Sequence, residues 1–224
     1  MTEDLSLIRD SWITVADAIG NNFNKSIADV GCATGEFAAY LEQRFPSANI
    51  VGIEYLASLR LKAVENNKSI RFINGDVTEK TSVNEKFDTI TMMGVLCIFD
   101  NYEQVIHNVI SWLKPKGRLI LFNMISEYDI DVFVKYIPSS SNYKEDNLKN
   151  GWNIISEKSL RLVCEKNLAE LRTVNPFTIG LDIKQKSDDL MRSWTEKDGN
   201  NIRQIYNATH IRQPFKLAII EKKQ

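Results

Sequence analysis

The sequence has little of what a disulfide framework, a metal site or a membrane anchor would require. It contains three cysteines, too few and odd in number for a disulfide framework, which fits a reducing cytoplasm. No histidine, aspartate and glutamate residues cluster with the spacing of a metal site, so we expect no metal. No apolar run reaches membrane-spanning length, and the acidic residues 1–4 predict neither export nor anchoring.

An excess of charge of either sign is also absent. The chain of 224 residues has 28 basic and 29 acidic side chains and a formal net charge of −1. Such a chain has no global field that attracts nucleic acid or an anionic membrane, so we expect neither partner. Its length and its 43% hydrophobic residues suit one α/β domain over residues 1–224, as a monomer or a homodimer.

One stretch, residues 26–37, joins a short apolar run, a turn of small residues and the start of a helix. Gly31 and Gly35 bracket the turn, where the absence of a Cβ lets the backbone bend sharply and lets a ligand approach. Apolar residues then recur every four positions up to Pro46, which predicts an amphipathic helix. Open α/β sheets hold nucleotide-like ligands at such a turn, at the carboxyl end of the first strand.

The dinucleotide fingerprint G-x-G-x-x-G is missing from this turn. Ala33 and Glu36 stand at its second and third glycine positions, which disfavours pyrophosphate binding. The run from Asp29 through Gly31 to Gly35 instead resembles the first motif of class I (Rossmann-like) S-adenosylmethionine (SAM)-dependent methyltransferases. The resemblance implies that this loop passes under the methionine part of SAM. It also implies that Asp29 reaches the ammonium group of SAM, directly or through water.

Carboxylates follow the next two predicted strands. Glu54 ends a β-rich run at residues 49–54, and its two acceptor oxygens suit the cis-diol of a ribose. Asp76 lies near the end of the run at residues 69–77, and the resemblance implies that it accepts a hydrogen bond from the adenine amino group while Val77 packs on the ring. Two structural alternatives stay open: Glu54 as an exposed helix start, and Asp76 as the cap of a turn.

The fourth predicted strand, residues 87–96, ends where the methyl group would be presented. Methyltransferases of exocyclic base or glutamine nitrogens carry an Asp/Asn-Pro-Pro-aromatic tetrad at this place, whereas residues 93–96 read Met-Gly-Val-Leu. An amine acceptor of that kind is therefore disfavoured. A Leu-x-Pro-x-Gly turn at residues 113–117, before the fifth strand at 118–123, is a further family feature.

The resemblance is specific over residues 25–123, the predicted SAM-binding core, and it implies the family fold. We predict a seven-stranded, mostly parallel α/β sheet of order 3-2-1-4-5-7-6, with strand 7 antiparallel and helices on both faces. SAM is the expected cofactor and S-adenosylhomocysteine (SAH) its product. The predicted cofactor-binding residues are Asp29, Gly31, Cys32, Ala33, Gly35, Glu54, Tyr55, Asp76, Val77, Met93, Gly94 and Val95.

An amphipathic helix is predicted ahead of the sheet, over residues 4–19, because Leu5, Ile8 and later apolar residues recur with helical spacing. We expect residues 1–24 to cover one edge of the domain. In small-molecule methyltransferases such a helix also closes over the SAM pocket, so Trp12 is a candidate for the pocket wall.

Strands six and seven are predicted at residues 171–177 and 215–221, with a connection far longer than a tight hairpin. We therefore assign residues 124–155 and 178–213 to substrate binding or to a lid. The second of these segments carries Arg192, Trp194, Arg203, Tyr206, His210 and Arg212.

Guanidinium groups match carboxylates and phosphates, so this insertion predicts an anionic or sugar-like acceptor, with a solvated helical surface as the alternative. His210 and Arg192 are the predicted catalytic residues. His210 would serve as the base that an alcohol acceptor requires.

These features predict a SAM-dependent methyltransferase of a small-molecule acceptor. The expected target is an oxygen of a polar or anionic metabolite or of a saccharide-type intermediate. The alternatives are N- or C-methylation of a small molecule, or a SAM-binding regulatory subunit without catalysis. The cofactor residues argue only for binding and so do not separate catalysis from binding alone.

Overall fold

The computed structural model of the chain describes residues 4–21, 23–186, 188–189 and 191–223, with side chains from residue 10 onward. Residues 1–3, part of the acidic start, lie outside the described residues. Helices and strands alternate over the first half, as a doubly wound fold requires. In chain order the elements are α1 (Asp4–Ile19), β1 (Ser26–Val30), α2 (Glu36–Arg44), β2 (Asn49–Ile53), α3 (Ala57–Asn66), β3 (Arg71–Ile73), β4 (Phe87–Met93), α4 (Tyr102–Ser111), β5 (Leu113–Ser126), β6 (Lys135–Tyr136), β7 (Lys149–Asn150), β8 (Ile155–Ser156), α5 (Glu157–Lys166), β9 (Ala169–Pro176), β10 (Trp194–Lys197), β11 (Arg203–Tyr206) and β12 (Phe215–Lys222).

The main sheet has the strand order β3-β2-β1-β4-β5-β12-β9. Strands β1 to β5 pair in parallel, and β12 is antiparallel to both of its neighbours. Numbered along the chain as seven strands, this order is 3-2-1-4-5-7-6. The predicted fold class is therefore confirmed. A short strand, β8, pairs with the end of β5.

One edge of the sheet collects the segments that follow its strands. The parallel strands β1 to β5 all end there, and β12 begins there because it is antiparallel to β5. β9 is antiparallel to β12, so β9 also ends at this edge. In open α/β sheets this carboxyl edge is the place where ligands bind.

Helices bury apolar side chains on both faces of the sheet. On one face, Leu41 of α2 is fully buried in a cluster with Ile27 of β1. On the other face, Ile106 of α4 and Leu160 of α5 are buried in the larger cluster. Each such side chain contributes about 1.5–3 kcal/mol relative to exposure. The two clusters fix the sheet between its helices and so hold its carboxyl edge in place.

The N-terminal helix forms as predicted, over Asp4–Ile19, and buries Val15 and Ile19. Leu5 and Ile8, which belong to the predicted apolar stripe, lie outside the described side chains. Among the described residues there is no helix with the length and apolar character that a bilayer crossing demands.

The fourth strand is shorter than predicted. β4 ends at Met93, because Gly94 adopts a left-handed φ of 65° and a short 3-10 turn, Leu96–Ile98, follows it. The predicted strand over residues 87–96 is therefore wrong in its last three positions. The early end leaves a turn at the carboxyl edge.

The fifth strand is longer than predicted. β5 begins at Leu113 and reaches Ser126. The turn predicted at residues 113–117 is an irregularity inside this strand, because Lys116 has a left-handed φ of 60° and the register with β4 shifts nearby.

The insertion between β9 and β12 contains a β-hairpin. A solvated helical surface was the alternative that the sequence left undecided. In its described residues, β10 and β11 pair antiparallel, and Trp194 and Ile205 are buried. Asp198 accepts hydrogen bonds from the amides of Asn200 and Ile202, which fixes the connecting turn. Ser187 and Leu190 of this segment lie outside the described residues. The helical alternative is wrong.

Candidate active site

The loop after β1 adopts the sharp turn that its small residues predict. Gly31, Ala33 and Gly35 have φ values of 73°, 48° and 86°. The amide of Gly31 donates a 2.8 Å hydrogen bond to the carbonyl of Ile53, so the turn is tied to the end of β2. A Cβ at Gly31 would collide with the side chain of Val95, which lies directly against it. Only glycine fits this position without displacement.

A cavity of about 300 Å³, here called the first cavity, opens at this loop. Its wall combines the loop after β1, the turn after β4 and two residues of α1, Ser11 and Trp12. Trp12, the predicted candidate for a pocket wall, packs with a centroid distance of 5.8 Å on Phe37. Six of the twelve predicted cofactor residues lie in this wall: Asp29, Gly31, Cys32, Ala33, Met93 and Gly94.

Asp29 carries a carboxylate oxygen that lacks a partner. Its side chain is 3% exposed, and Oδ1 accepts a 3.1 Å hydrogen bond from the hydroxyl of Thr91. Oδ2 has no hydrogen-bond partner among the described residues. Burial raises the pKa of Asp29 to about 7, the Thr91 hydrogen bond opposes that rise, and the charge of Glu54 adds to it. A cationic group in the cavity would complete the coordination of this carboxylate.

Glu54 lies beside the same loop and is buried, so its reading as an exposed helix start is wrong. Its Oε2 accepts a 3.0 Å hydrogen bond from the amide of Ala33, and its Oε1 accepts one of 2.8 Å from the amide of Leu56. Each carboxylate oxygen has a second lone pair, so both can still accept from a ligand.

The thiol of Cys32 stays protonated in this setting. Burial, reinforced by the charges of Asp29 and Glu54, raises the pKa of Cys32. The thiol therefore contributes a small neutral group to the wall. The acidic side chains in the wall of the cavity are those of Asp29 and Glu36.

The other six predicted cofactor residues do not line the first cavity. Gly35 belongs to its loop, Glu54 accepts a hydrogen bond from that loop, and Val95 lies against Gly31. Tyr55 is 60% exposed beyond the end of β2.

The last two of these six residues follow β3. Asp76 Oδ1 accepts hydrogen bonds from the amide and the hydroxyl of Thr78, at 2.8 Å and 2.7 Å, as the cap of a turn does. Val77 is buried in the core cluster. Asp76 therefore has the capping contact that the structural alternative predicts. A contact with a ligand would come in addition to it.

A second cavity, also of about 300 Å³, lies between this edge of the sheet and the hairpin β10–β11. Phe215 lines both cavities. Phe122 of the first cavity stacks on Phe215 with a centroid distance of 5.2 Å and meets Phe177 of the second cavity edge-on at 5.0 Å. These three rings form a phenylalanine partition between the cavities.

The second cavity has basic walls. Its lining contains the cations Arg203, Arg212 and Lys216, and one carboxylate, Glu127. Glu127 accepts from Arg212 at 3.2 Å and lies 3.5 Å from the ammonium group of Lys216. A backbone hydrogen bond and these two cations hold the pKa of Glu127 below its usual value. The two cavities therefore carry opposite charge on either side of the partition.

Comparison with known proteins identifies the family of the chain. Residues 9–218 match a family model described as a methyltransferase domain. The chain belongs to this methyltransferase family. The match confirms the class I resemblance that the loop after β1 carries, and SAM is the methyl donor of that class.

Curated relatives share part of this chain. The demethylmenaquinone methyltransferase of Thermus thermophilus is 31% identical over 101 residues, which are 43% of this chain and 46% of that protein. A malonyl-(acyl-carrier protein) O-methyltransferase of Priestia megaterium is 27% identical over 170 residues, which are 71% of this chain and 59% of that protein. The chain spans about half the length of the curated relatives that it matches.

The fold also recurs among solved structures. The 1,6-didemethyltoxoflavin-N1-methyltransferase of Burkholderia thailandensis, which contains bound SAH, superposes with a TM-score of 0.57. The superposition covers 96% of this chain and 78% of that chain at 13% identity. At this identity the likeness shows the fold alone.

The first cavity of the methyltransferase domain fits the charge of SAM. SAM has a sulfonium, an ammonium and a carboxylate group and so one net positive charge, and the acidic residues Asp29 and Glu36 lie in the wall of the cavity. The loop at Gly31 brings backbone rather than side chain to the cavity. The residues present therefore fit a cationic nucleoside.

The two predicted catalytic residues lie outside both cavities of the domain. His210 is exposed, and its ring meets that of Trp194 edge-on at a centroid distance of 6.2 Å. Arg192 is half-buried ahead of β10, where its amide donates to the carbonyl of Asp189. Of the insertion residues singled out in the sequence, only Arg203 and Arg212 reach the second cavity. The catalytic roles of His210 and Arg192 stay predictions.

Several residues that line the two cavities were missed in the sequence. Phe122 and Phe215 lie in apolar strands and look like ordinary core positions. Lys216 lies next to Phe215 in the same strand and was missed for the same reason. Glu127 carries a usable signal, because an acidic residue directly after a strand is the pattern that singled out Glu54.

Proposed function

We propose that the chain transfers a methyl group from SAM to an oxygen of a small polar or anionic metabolite. The observation that carries this proposal is the buried carboxylate of Asp29: the residue lines the first cavity, and its Oδ2, which is itself buried, has no partner among the described residues. A buried carboxylate without a partner is costly, and a bound cation offsets that cost.

The residues that bind the methyl donor follow from the placement of Asp29. Asp29 receives the ammonium group, and the backbone from Gly31 to Gly35 supports the methionine part. Glu54 accepts the ribose hydroxyls with the lone pairs that its two backbone contacts leave. Asp76 and Val77 contact the adenine end of SAM.

The wall around the reacting centre is mainly apolar. Met93, Gly94 and Val95 close one side. Bound SAM supplies an electrophilic methyl carbon on a sulfonium whose leaving group is a neutral thioether. The rings of Trp12, Phe37 and the phenylalanine partition exclude water and favour a cation at their faces. Alignment of this kind supplies about 7–11 kcal/mol in intramolecular analogues.

The acceptor oxygen is proposed to be ionised before it binds. Of the described residues that line the two cavities, none is a histidine, and the Cys32 thiol has a raised pKa. An oxygen that already carries charge requires no general base, whereas an alcohol would gain about 10²- to 10⁴-fold from one.

The segments outside the core contribute to the acceptor side. Glu127 comes from residues 124–155, and Arg203 and Arg212 come from residues 178–213, which supports the assignment of both segments to substrate binding. We propose one domain over residues 1–224, in which residues 1–24 cover the sheet. A cytoplasmic location and a monomer or homodimer complete the proposal, and the three buried free thiols suit a reducing compartment.

Two measurements test this function. Calorimetry should show one site for SAM and for SAH, and NADH should give no heat. Methyl-labelled SAM mixed with protein and a metabolite extract should then yield a labelled small molecule. Binding without labelled product would favour a regulatory SAM-binding subunit. A product labelled on nitrogen or carbon would replace the oxygen assignment.

A further inference from the structure

The second cavity carries charges that the methyl donor does not require. SAM is cationic, so the basic wall of this cavity is of the wrong sign for it. The second cavity nevertheless adjoins the first cavity, where SAM is proposed to bind, because Phe215 lines both cavities. A ligand in the second cavity would therefore lie beside the reacting centre.

The cations of this wall are paired with carboxylates. The side chains of Lys216 and Arg203 are 13% and 19% exposed, whereas that of Arg212 is 49% exposed. Arg203 is anchored on Asp182 at 3.2 Å, whereas Arg212 and Lys216 both point at Glu127. Arginine has five N–H donors and lysine three, so Arg212 and Lys216 can bind more than one carboxylate.

The rest of the wall suits the body of a small organic molecule. Phe177, Ile179 and Phe215 supply apolar surface next to the cations. A volume of about 300 Å³ lies at the small end of ligand pockets. Apolar surface with one charged corner is the arrangement that orients a small anion.

We propose that the second cavity is the acceptor subsite and that Arg212 and Lys216 hold a carboxylate of the acceptor. Glu127 stands in for that carboxylate in the ligand-free protein. As a statement about the acceptor this rests on the proposed function, but the anion site itself can be tested without catalysis.

The bound carboxylate is an anchor and not the methylated group. Two cations stabilise its charge and so lower its nucleophilicity. The reacting atom therefore lies at the other end of the acceptor, at the phenylalanine partition. The acceptor class is a small acid with a second, ionisable oxygen.

The test compares benzoate with benzamide, its neutral isostere, on SAH-loaded protein by calorimetry or ligand-observed NMR. Benzoate should bind and benzamide should not. The double variant Arg212→Gln with Lys216→Gln should bind benzoate at least tenfold more weakly. Glu127→Gln should bind it more tightly, because the competing carboxylate is gone. Arg172→Gln, which removes a cation paired with Glu170 and Glu221, is the matched control and should change nothing.

Equal binding of benzoate and benzamide, or an unchanged affinity in the double variant, would overturn the inference. So would inorganic phosphate displacing benzoate at lower concentration than benzoate's own dissociation constant, since the wall would then recognise phosphate. SAH affinity is measured on the same samples. Loss of SAH binding with intact benzoate binding would refute the proposed function alone, and the reverse result would refute this inference alone.

Discussion

Replacing Asp29 with asparagine should stabilise the ligand-free protein and weaken its binding of SAM. The pKa of Asp29 rises from 3.8 to about 7, a difference of about three, because burial disfavours the charged form. Each pKa unit is worth 1.36 kcal/mol, so keeping this group ionised costs the fold about 4 kcal/mol above pH 7. The asparagine amide leaves donors without partners at a cost of about 1–3 kcal/mol. The net gain at pH 8 should therefore be about 1–3 kcal/mol.

The pH dependence has a definite sign. Between pH 4 and pH 7 the folded wild type binds more protons than the unfolded chain, so the contribution of Asp29 to the free energy of unfolding falls as pH rises. The asparagine variant lacks this slope. The free energy of unfolding of the variant minus that of the wild type should therefore rise through this window, from a negative to a positive value, and level off above pH 7.

Urea denaturation followed by tryptophan fluorescence, at pH 5, 6, 7 and 8, measures this difference. Calorimetry with SAM at pH 7.5 should show affinity lowered by roughly 10- to 150-fold, since one charge-assisted hydrogen bond is worth about 1.5–3 kcal/mol. A variant less stable than wild type at pH 8, or a stability difference independent of pH, would show that ionised Asp29 does not destabilise the ligand-free protein.

Three further substitutions test separate parts of the site. Glu54→Ala should weaken SAM binding by about 1–3 kcal/mol in calorimetry, and an unchanged affinity would remove Glu54 from the ribose site. Gly31→Ala should lower the free energy of unfolding by about 2–4 kcal/mol, through its φ of 73° and the collision with Val95. Gly199→Ala, where a Cβ meets nothing within 4 Å, is its control and should stay within about 0.5 kcal/mol. His210→Asn should lower kcat by about 10²-fold or more if His210 is the base that the sequence predicts, whereas the ionised acceptor proposed above predicts an unchanged kcat.

The local part of the site could be predicted from the sequence because its determinants are adjacent in the chain. Gly31 and Gly35 mark a backbone conformation that few other residues adopt. Glu54 comes directly after a strand that pairs with β1, so strand order alone brings it to the loop. The strand order followed from the family resemblance and was confirmed.

The acceptor side could not be predicted in the same way. The phenylalanine partition joins a residue of β5, one of β12 and one directly after β9, and β12 follows the whole insertion in the chain. The ion pair between Arg212 and Glu127 links residues 85 positions apart. The hairpin β10–β11 has a five-residue connection fixed by Asp198 instead of a two-residue Asn-Gly or Asp-Gly turn, so the strongest hairpin signal was missing.

The ionised Asp29 of the acidic first cavity is proposed to hold the ammonium group that SAM and SAH share. Titration of SAH into the wild-type protein at pH 7.5 and pH 5.5 measures this contact. We expect one site whose affinity falls by about tenfold or more at pH 5.5, as Asp29 becomes protonated. Absence of binding by folded protein at pH 7.5, or equal affinity at both pH values, would contradict it.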